Sequence, residues 1–550
     1  MEPSRHKPLL AVTALFVVLY VLPLGLRPMS APDEYRYGEI PREMIASGDW
    51  VVPRLVGLDY FEKPVLGYWL MGASMVVLGD GPFALRLPSA LATGLTAALI
   101  YLLLVRSGRD QGAAALAAAA LLTALLPYAL GTVAILDAAF ALFVTGGMVF
   151  TFLALEDPGR GHGFLAAAGV AAGLAFLTKG PLGLILPGAA LLPYLLWTRN
   201  LGSFLRRIWI PALSALVVAG PWSLAVGLRT EFWYRFLWVE HVVRAMEPGK
   251  NQHPEPFYYY AQYLAVTVIP AIFLLPAAIA GLRDGARDAP GRRLRLFAAL
   301  WLVMPVLFLS ISSGKRITYV LPVLPAAVIL LVEPALQAVR ARGRRVLRAP
   351  LLATATLGAL VTLGLIVVAP RNERIAPALE ASPAPWLVLG AAALVWTIGG
   401  VAGLRSSSGG SRLALVILAP APFLLAANGI LDQNLLVTAT PAMTTMLQEE
   451  PAATMLVSDR DAAQAMAWIT QRTDVEIFDD AGELEYGLTK DPARHLMTVP
   501  ELRRAIEDGT RMAMLLALSR WEDFAPELPE PDRLLTGSKI ALVLYNVDRG

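Results

Sequence analysis

Long apolar segments separated by short polar ones make up most of the chain. Each apolar segment has roughly 16 or more residues, with Pro and Gly allowed inside it, which suits a bilayer core of about 30 Å. The segments lie at 8–28, 82–105, 112–127, 132–155, 163–178, 181–197, 208–228, 262–282, 296–311, 319–338, 350–369, 386–404 and 413–430. The pattern predicts an α-helical polytopic membrane protein with about 13 transmembrane helices.

One further apolar run, VLGYWLMGASMVVL at 65–78, is short for a span and is typical of an interfacial or re-entrant helix. The charges support leaving it out of the count. With the N-terminus inside, the basic clusters then all fall in inner loops, as the positive-inside rule requires. These clusters lie at 5–7, 106–109, 199–207, 283–295, 340–348 and 405–412. We therefore expect a cytoplasmic N-terminus, extracytoplasmic loops at 29–81 and 229–261, and an extracytoplasmic C-terminus.

The pattern changes after about residue 431. Short β-rich runs alternate with helical stretches such as AAQAMAWITQ, which is typical of a small α/β domain. The β-rich runs are MLVS at 455–458, VEIF at 475–478, MAMLLAL at 512–518 and IALVLYNV at 540–547. We predict a transmembrane domain at 1–431 and an extracytoplasmic α/β domain at 432–550, which serves as a lid or docking module.

Composition supports the membrane assignment and excludes two classes of function. Hydrophobic residues make up 56% of the chain and charged residues 16%, and the mean hydropathy is +0.57. The net charge of +3 is too small to indicate binding of nucleic acid. The chain contains no cysteine, which excludes disulfides and thiolate zinc sites.

The first loop opens with SAPDEYRYGEIPREM at 30–44, a charged stretch that directly follows an apolar segment. Asp33, Arg36 and Tyr37 stand at i, i+3 and i+4, so a helix would carry all three on one face. A structural alternative is a capping box, with Ser30 at the N-cap and Asp33 three residues later. Both interpretations remain open from the residues alone.

Three more outer segments combine cations with tyrosines, and two of them also carry acids. Their polar residues are Glu62 and Lys63 at 60–69, Glu240, His241, Arg244 and Lys250 at 232–260, and Lys315, Arg316 and Tyr319 at 312–326. An interfacial belt of aromatic and basic residues would explain each segment alone. It does not explain the acids beside the cations. A lipid with a phosphate head group and a buried tail would explain both, since Lys and Arg bind phosphate through charge-assisted hydrogen bonds.

Two charged residues lie close to predicted spans. Asp137 falls near the outer start of the fourth span, where a carboxylate is costly unless it is paired or functional. Both interpretations stay open, and Asp137 is a second candidate catalytic acid. For Lys179, in a short outer turn, we favour a side chain that extends to the interface without a specific partner.

The first-loop sequence PDEYRYGEIPREMIASGDWVVPRLVGLDYFEKPVLGYWL resembles the first-loop signature of the lipid A aminoarabinose transferases, which have the glycosyltransferase C fold. EHVVRA at 240–245 and SSGKRITYVLPVLPA at 312–326 resemble later motifs of that family. The resemblance implies transfer of 4-amino-4-deoxy-L-arabinose from undecaprenyl phosphate to a lipid A phosphate, at the periplasmic side of a Gram-negative inner membrane. This transfer lowers the negative charge of lipid A and gives resistance to cationic peptides such as polymyxin.

Family roles are carried over by residue type. Asp33 would be the catalytic acid residue, Lys63 and Arg244 would hold the donor phosphate, and Arg36 and Tyr319 would assist. Tyr37 and Lys315 are further candidate substrate ligands. The chemistry needs no cofactor, because the leaving group is a phosphate that cations stabilise. We expect the protein to work as a monomer among membrane lipids.

Several alternatives remain. Glu62 and His241 could share a metal ion such as zinc. Related transferases use other sugars, or protein or glycan acceptors. A lipid-linked sugar flippase would also have many spans, but its polar residues should line the midplane of the membrane. A non-catalytic lipid-binding scaffold would need the cations but not Asp33.

Overall fold

The computed structural model describes residues 7–157, 159–243, 254–284, 289–312, 314–372, 375–430, 439–537 and 539–547. Within these ranges, nine helices are long and apolar enough to cross a membrane. They are Pro82–Arg106, Asp137–Glu156, Gly161–Lys179, Trp209–Arg229, Gly291–Ile311, Ile317–Arg342, Arg344–Arg371, Pro383–Arg405 and Gly409–Gly429. Each overlaps a predicted span, so the prediction of a polytopic helical protein is confirmed.

The predicted number of 13 spans is not confirmed. Two spans are bent helix pairs, Gln111–Leu122 with Leu125–Gly131 at 65° and Tyr259–Thr267 with Ala271–Arg283 at 93°, which raises the number to at most 11 in the described part of the chain. The apolar helices Lys7–Val21 and Leu182–Trp197 are shorter. The second bend contains Pro270, whose missing N–H group removes a helical hydrogen bond.

The chain divides into two compact units, and the larger one consists of 1–24, 87–224 and 237–430. Small residues allow its helices to approach closely. A side-chain carbon at Gly281 would overlap the carbonyl oxygen of Pro334, and one at Gly400 would lie 2.6 Å from the backbone nitrogen of Ala355. Substituting either glycine would therefore push two helices apart.

The second unit combines 25–86, 225–236 and 431–550. Its first part holds the helices Asp33–Ser47 and Leu66–Leu78. A hairpin of β1 (Arg54–Leu55) and β2 (Leu58–Asp59) separates them. The short helix predicted at 65–78 is therefore present. The boundary predicted between 431 and 432 stays a prediction, but the tail shares its unit with the first loop.

The tail forms a five-stranded sheet of β3 (Met455–Ser458), β4 (Val475–Ile477), β5 (Met512–Ala517), β6 (Arg533–Thr536) and β7 (Ile540–Tyr545). The strand order in the sheet is β4-β3-β5-β7-β6. β3 is parallel to β4 and β5, whereas β7 is antiparallel to β5 and β6. The helices of this region are Pro441–Glu449, Ala463–Thr470, Glu485–Lys490, Val499–Glu507 and Leu518–Phe524.

This sheet confirms the prediction of a small α/β region at the C-terminus. The four predicted strands are its buried ones, and the apolar cluster around Val457, Met514 and Val543 packs on them. The sequence did not predict β6, because it is a largely exposed strand at the sheet edge and lacks a continuous apolar run.

The helix Asp33–Ser47 also holds the hairpin. Both carboxylate oxygens of Glu43 accept hydrogen bonds from the backbone N–H of Gly57, at 3.0 and 3.2 Å. Gly57 lies in the tight turn, where its φ is +76° and glycine is favoured. Glu39, which pairs with Arg42 at 2.5 Å, lies beside Glu43. Burial and the neighbouring Glu39 raise the pKa of Glu43 to about 8.

Candidate active site

Asp33 is the first residue of the helix Asp33–Ser47, and Pro32 occupies the N-cap position. The structural alternative, a capping box with Ser30 at the N-cap and Asp33 three residues later, is therefore wrong. The carboxylate of Glu34 takes that role, because its Oε2 accepts a hydrogen bond from the backbone N–H of Ser30 at 3.0 Å. The helix start thus leaves the side chain of Asp33 available for another purpose.

Glu34 holds the start of the helix Asp33–Ser47 in place. Its buried carboxylate pairs with Arg86 at 2.7 Å and with Arg27 at 3.2 Å. Arg86 also donates to the backbone carbonyls of Arg27 and Pro28, at 2.9 and 2.7 Å. These contacts fix the entry to the helix, and Asp33 next to it keeps 50% of its side chain exposed.

The predicted helical face is present. Arg36 donates from Nη1 to Oδ1 of Asp33 at 3.0 Å, and its guanidinium carbon lies 5.9 Å from the ring centroid of Tyr37. The Nε atom of Arg36 also pairs with Oε1 of Glu483 at 2.5 Å. Arg36 is therefore shared between one carboxylate from the first loop and one from the tail.

Tyr60 and Glu62 complete the group around Glu483. The Tyr60 hydroxyl donates to Oε2 of Glu483 at 3.1 Å and lies 3.4 Å from Oε2 of Glu62. Burial raises the pKa of Glu483 to about 7, the charges of Glu62 and Asp33 act in the same direction, and Arg36 opposes them. The segment with Glu62 therefore lies near the face of the helix that carries Asp33 and Arg36.

Lys63 differs from Arg36 in its partners. Its Nζ donates to the backbone carbonyl of Glu62 at 2.9 Å. In the part of the chain that the structure describes, no carboxylate pairs with Lys63. Its charge therefore remains available for an anion, which is what a phosphate ligand requires.

Glu483 is the site residue that sequence reasoning missed. It lies in GELEYG at 482–487, which has two acids and a tyrosine but, unlike the outer segments singled out from the sequence, no cation. The helix Glu485–Lys490 packs on the hairpin, where a side-chain carbon at Gly487 would lie 2.6 Å from the Cβ of Leu58. The rings of Tyr486 and Phe61 lie 5.3 Å apart.

A second polar group lies in the larger unit. Asp137 begins the helix Asp137–Glu156 and pairs with Lys179 at 2.7 Å, with side-chain exposures of 13% and 10%. The Nζ atom of Lys179 also lies 5.6 Å from the ring centroid of Tyr319 and 5.7 Å from that of Phe140. The prediction that Lys179 extends to the interface without a partner is wrong. The pairing explains how Asp137 is tolerated, and its catalytic role stays a prediction.

Lys315 is buried, and its side-chain hydrogen bonds among the described residues go to backbone carbonyls. Its Nζ donates to the carbonyl of Glu255 at 2.8 Å and to that of Ser312. These bonds hold the turn before Tyr319, so a role of Lys315 in substrate binding stays a prediction. Arg244 lies outside the described residues, and its predicted role is untested.

The predicted metal site is also untested. The side chain of His241 is outside what the structure describes, and Glu62 contacts Tyr60. Within the described ranges, no three His, Asp or Glu side chains form a group that could hold a metal ion. The pairing of Glu62 with His241 around zinc therefore stays a prediction.

Comparison with known protein families defines the general class to which this protein belongs. Residues 7–282 match the family described as dolichyl-phosphate-mannose-protein mannosyltransferase, and residues 441–544 match the C-terminal domain of arabinosyl transferase ArnT. The many apolar helices, the polar first loop and these matches together define an integral membrane glycosyltransferase.

Individual relatives define the family. The chain is 33% identical to the undecaprenyl phosphate-alpha-4-amino-4-deoxy-L-arabinose arabinosyl transferase of Aeromonas salmonicida, over 98% of each chain. It is 34% identical to a relative of the same name in Sodalis glossinidius, over 98% of this chain and 97% of the relative. The chain therefore belongs to the undecaprenyl phosphate-aminoarabinose arabinosyl transferase family.

Solved structures agree with this assignment. The crystal structure of ArnT from Cupriavidus metallidurans bound to undecaprenyl phosphate superposes with a TM-score of 0.82, at 25% identity and over 99% of both chains. The oligosaccharyltransferase of Archaeoglobus fulgidus has a TM-score of 0.50 at 12% identity, over 95% of this chain and 70% of its own. The second likeness concerns the fold alone. The family resemblance of the first-loop sequence is confirmed.

Proposed function

We propose that this protein transfers 4-amino-4-deoxy-L-arabinose from undecaprenyl phosphate to a phosphate of lipid A, at the periplasmic face of the bacterial inner membrane. The observation that carries the proposal is the full-length likeness to relatives named for this donor. The transfer adds an amine to lipid A and lowers its negative charge. A less negative surface attracts cationic peptides such as polymyxin more weakly.

The donor phosphate needs cations, because negative charge develops on it as the sugar leaves. Lys63 has no carboxylate partner among the described residues and is the first ligand we assign, with Arg244 as the second. Arg36 already pairs with Asp33 and Glu483, so in this proposal it orients Asp33 and assists the phosphate only from a distance.

Asp33 is the proposed catalytic residue because its carboxylate is half-exposed and is held by Arg36. A lipid A phosphate is already an anion, so it can attack without losing a proton to a strong base. Asp33 then stabilises the positive charge that develops on the sugar ring and orients the acceptor. With a hydroxyl acceptor, Asp33 would instead have to accept a proton.

The test uses purified protein in proteoliposomes with undecaprenyl phosphate-aminoarabinose and lipid A, followed by mass spectrometry of the lipid. We expect lipid A that carries aminoarabinose, with free undecaprenyl phosphate as the second product. Transfer only from a donor with another sugar, or movement of the donor across the bilayer without transfer, would contradict the proposal.

The same assay tests whether the transfer reaction needs a cofactor. We propose that transfer requires none, so activity should persist after treatment with EDTA. Loss of activity that zinc restores would instead support a metal at Glu62 and His241.

A further inference from the structure

We infer that Glu483, supplied by the tail, is a positioning residue for the transfer reaction, acting on Asp33 through Arg36. The inference rests on the proposed function, because it assigns Glu483 a role in that reaction. It gives the C-terminal region a direct part in the active site instead of a role as a lid or docking module.

The contacts form a chain from the tail to the reaction centre. Oε1 of Glu483 pairs with Nε of Arg36, and Nη1 of Arg36 donates to Oδ1 of Asp33. Arg36 and Glu483 each expose only 14% of their side chains, whereas Asp33 exposes 50%. The two largely covered members therefore set the orientation of the half-exposed one.

Glu483 is itself held firmly. Its other oxygen accepts a hydrogen bond from Tyr60 at 3.1 Å. The turn before it is closed by Asp480, whose Oδ1 accepts from the backbone N–H of Gly482 at 2.8 Å. The helix that follows is fixed on the hairpin through Gly487 and Leu58. A carboxylate fixed on several sides can hold Arg36 in one orientation.

The charge of Glu483 decides how strongly Arg36 neutralises Asp33. When Glu483 is ionised, Arg36 is shared between two carboxylates, and Asp33 keeps more of its negative potential for the developing sugar cation. When Glu483 is protonated, Arg36 pairs with Asp33 alone. The groups that face Glu483 are Arg36, Tyr60, Glu62 and Asp33, and its pKa of about 7 places the change near neutral pH.

The main test compares the pH profile of kcat for the wild type and Glu483→Gln. We expect the wild-type rate to rise as the pH increases through about 7. Glu483→Gln should match the wild type near pH 5.5 and be roughly tenfold slower near pH 8.5, with the KM for the donor changed less than about twofold. A Glu483→Gln profile that follows the wild type would overturn the inference.

Two further variants separate positioning from structure. Glu485 is exposed on the adjacent turn, so Glu485→Gln should keep the wild-type profile. Glu483→Asp retains the charge and should keep the rise with pH at a lower maximal rate, which provides a readout even if Glu483→Gln folds poorly. A Glu483→Asp enzyme without that rise would count against the inference.

A double-mutant comparison tests whether Glu483 acts through Arg36. In an Arg36→Gln background, adding Glu483→Gln should cause no further loss of kcat. An additive loss would indicate a merely structural role. A wild-type protein that transfers no sugar from this donor would contradict both the proposed function and the inference. An active wild type whose pH profile of kcat is unchanged by Glu483→Gln would contradict the inference alone.

Discussion

Asp33 occupies a position where a structural and a catalytic role predict opposite outcomes. It does not hold the helix start, since Glu34 does so, and its carboxylate is half-exposed. Asp33→Asn should therefore leave the melting temperature and donor binding close to wild type. Transfer should fall about a hundredfold or more, as removal of a charge stabiliser or base typically does. The measurement is turnover of purified protein together with its thermal unfolding.

A near wild-type rate for Asp33→Asn would return Asp33 to a structural role. The catalytic assignment would then move to Asp137 or Glu62. Glu449→Gln, at an exposed position at the end of another helix, is a matched control that should change neither rate nor stability.

Lys63 supports a prediction about binding instead of turnover. Lys63→Ala removes one charge-assisted contact to the donor phosphate, which typically costs about 1.5–3 kcal/mol. The Kd for undecaprenyl phosphate should therefore rise roughly tenfold or more. Lys490→Ala, which breaks an exposed ion pair with Glu231, should leave the Kd unchanged. Equal affinities in the wild type and Lys63→Ala would show that the phosphate binds elsewhere.

Residue-level prediction succeeded where the residues are close in sequence. Helical spacing placed Asp33, Arg36 and Tyr37 on one face, and the structure shows the ion pair of the first two. Glu483 could not be found in this way, because its contact with Tyr60 joins residues 423 positions apart. Such a pairing depends on tertiary packing and leaves no periodic signal in a single sequence.

At the scale of elements, we predict that the stability of the helix Asp33–Ser47 with its hairpin depends on pH. The pKa of Glu43 lies at about 8, above its ordinary value, so between about pH 4.5 and 8 the folded state holds a proton that the unfolded state releases. Stability should therefore increase as the pH falls through this range. Glu39 and Arg42 face Glu43, and burial also raises the pKa of Glu39.

The measurement is the melting temperature of the wild type and Glu43→Gln at pH 5 and pH 8.5. Glutamine keeps an oxygen that can accept from Gly57 but carries no charge. At pH 8.5 the melting temperature of Glu43→Gln should exceed that of the wild type by a few degrees, since about 1 kcal/mol shifts the melting temperature by roughly 2–4 °C in a domain of about 150–250 residues. At pH 5 the two melting temperatures should be equal. An equal difference at both pH values would contradict the assignment.

Element-level prediction worked for long apolar runs and failed at their interruptions. Hydropathy located the helices that can span the membrane, because a span must be apolar along its whole length. It could not foresee that 112–127 and 262–282 are sharply bent. Bends depend on neighbouring helices that satisfy the exposed backbone groups, and hydropathy averages over them.

For the whole molecule, we predict that the C-terminus and residues 29–81 lie on the periplasmic side. The motivation is the distribution of Lys and Arg among the loops. Reporter fusions check this: alkaline phosphatase fused after residue 550 should be active, and a cytoplasmic reporter at the same place should be inactive. The opposite result would reverse the orientation and remove lipid A on the outer leaflet as the acceptor.

The contact between Tyr60 and Glu483 also has a consequence for the stage of translation at which the site can form. The first loop is made early in translation, but the carboxylate that shares Arg36 is made 423 residues after Tyr60. A ribosome must therefore synthesise nearly the whole polypeptide before the charges around Asp33 are complete. Nascent chains and chains that end before residue 483 carry Asp33 and Lys63 without Glu483, and the proposed role of Glu483 predicts that such chains lack full activity.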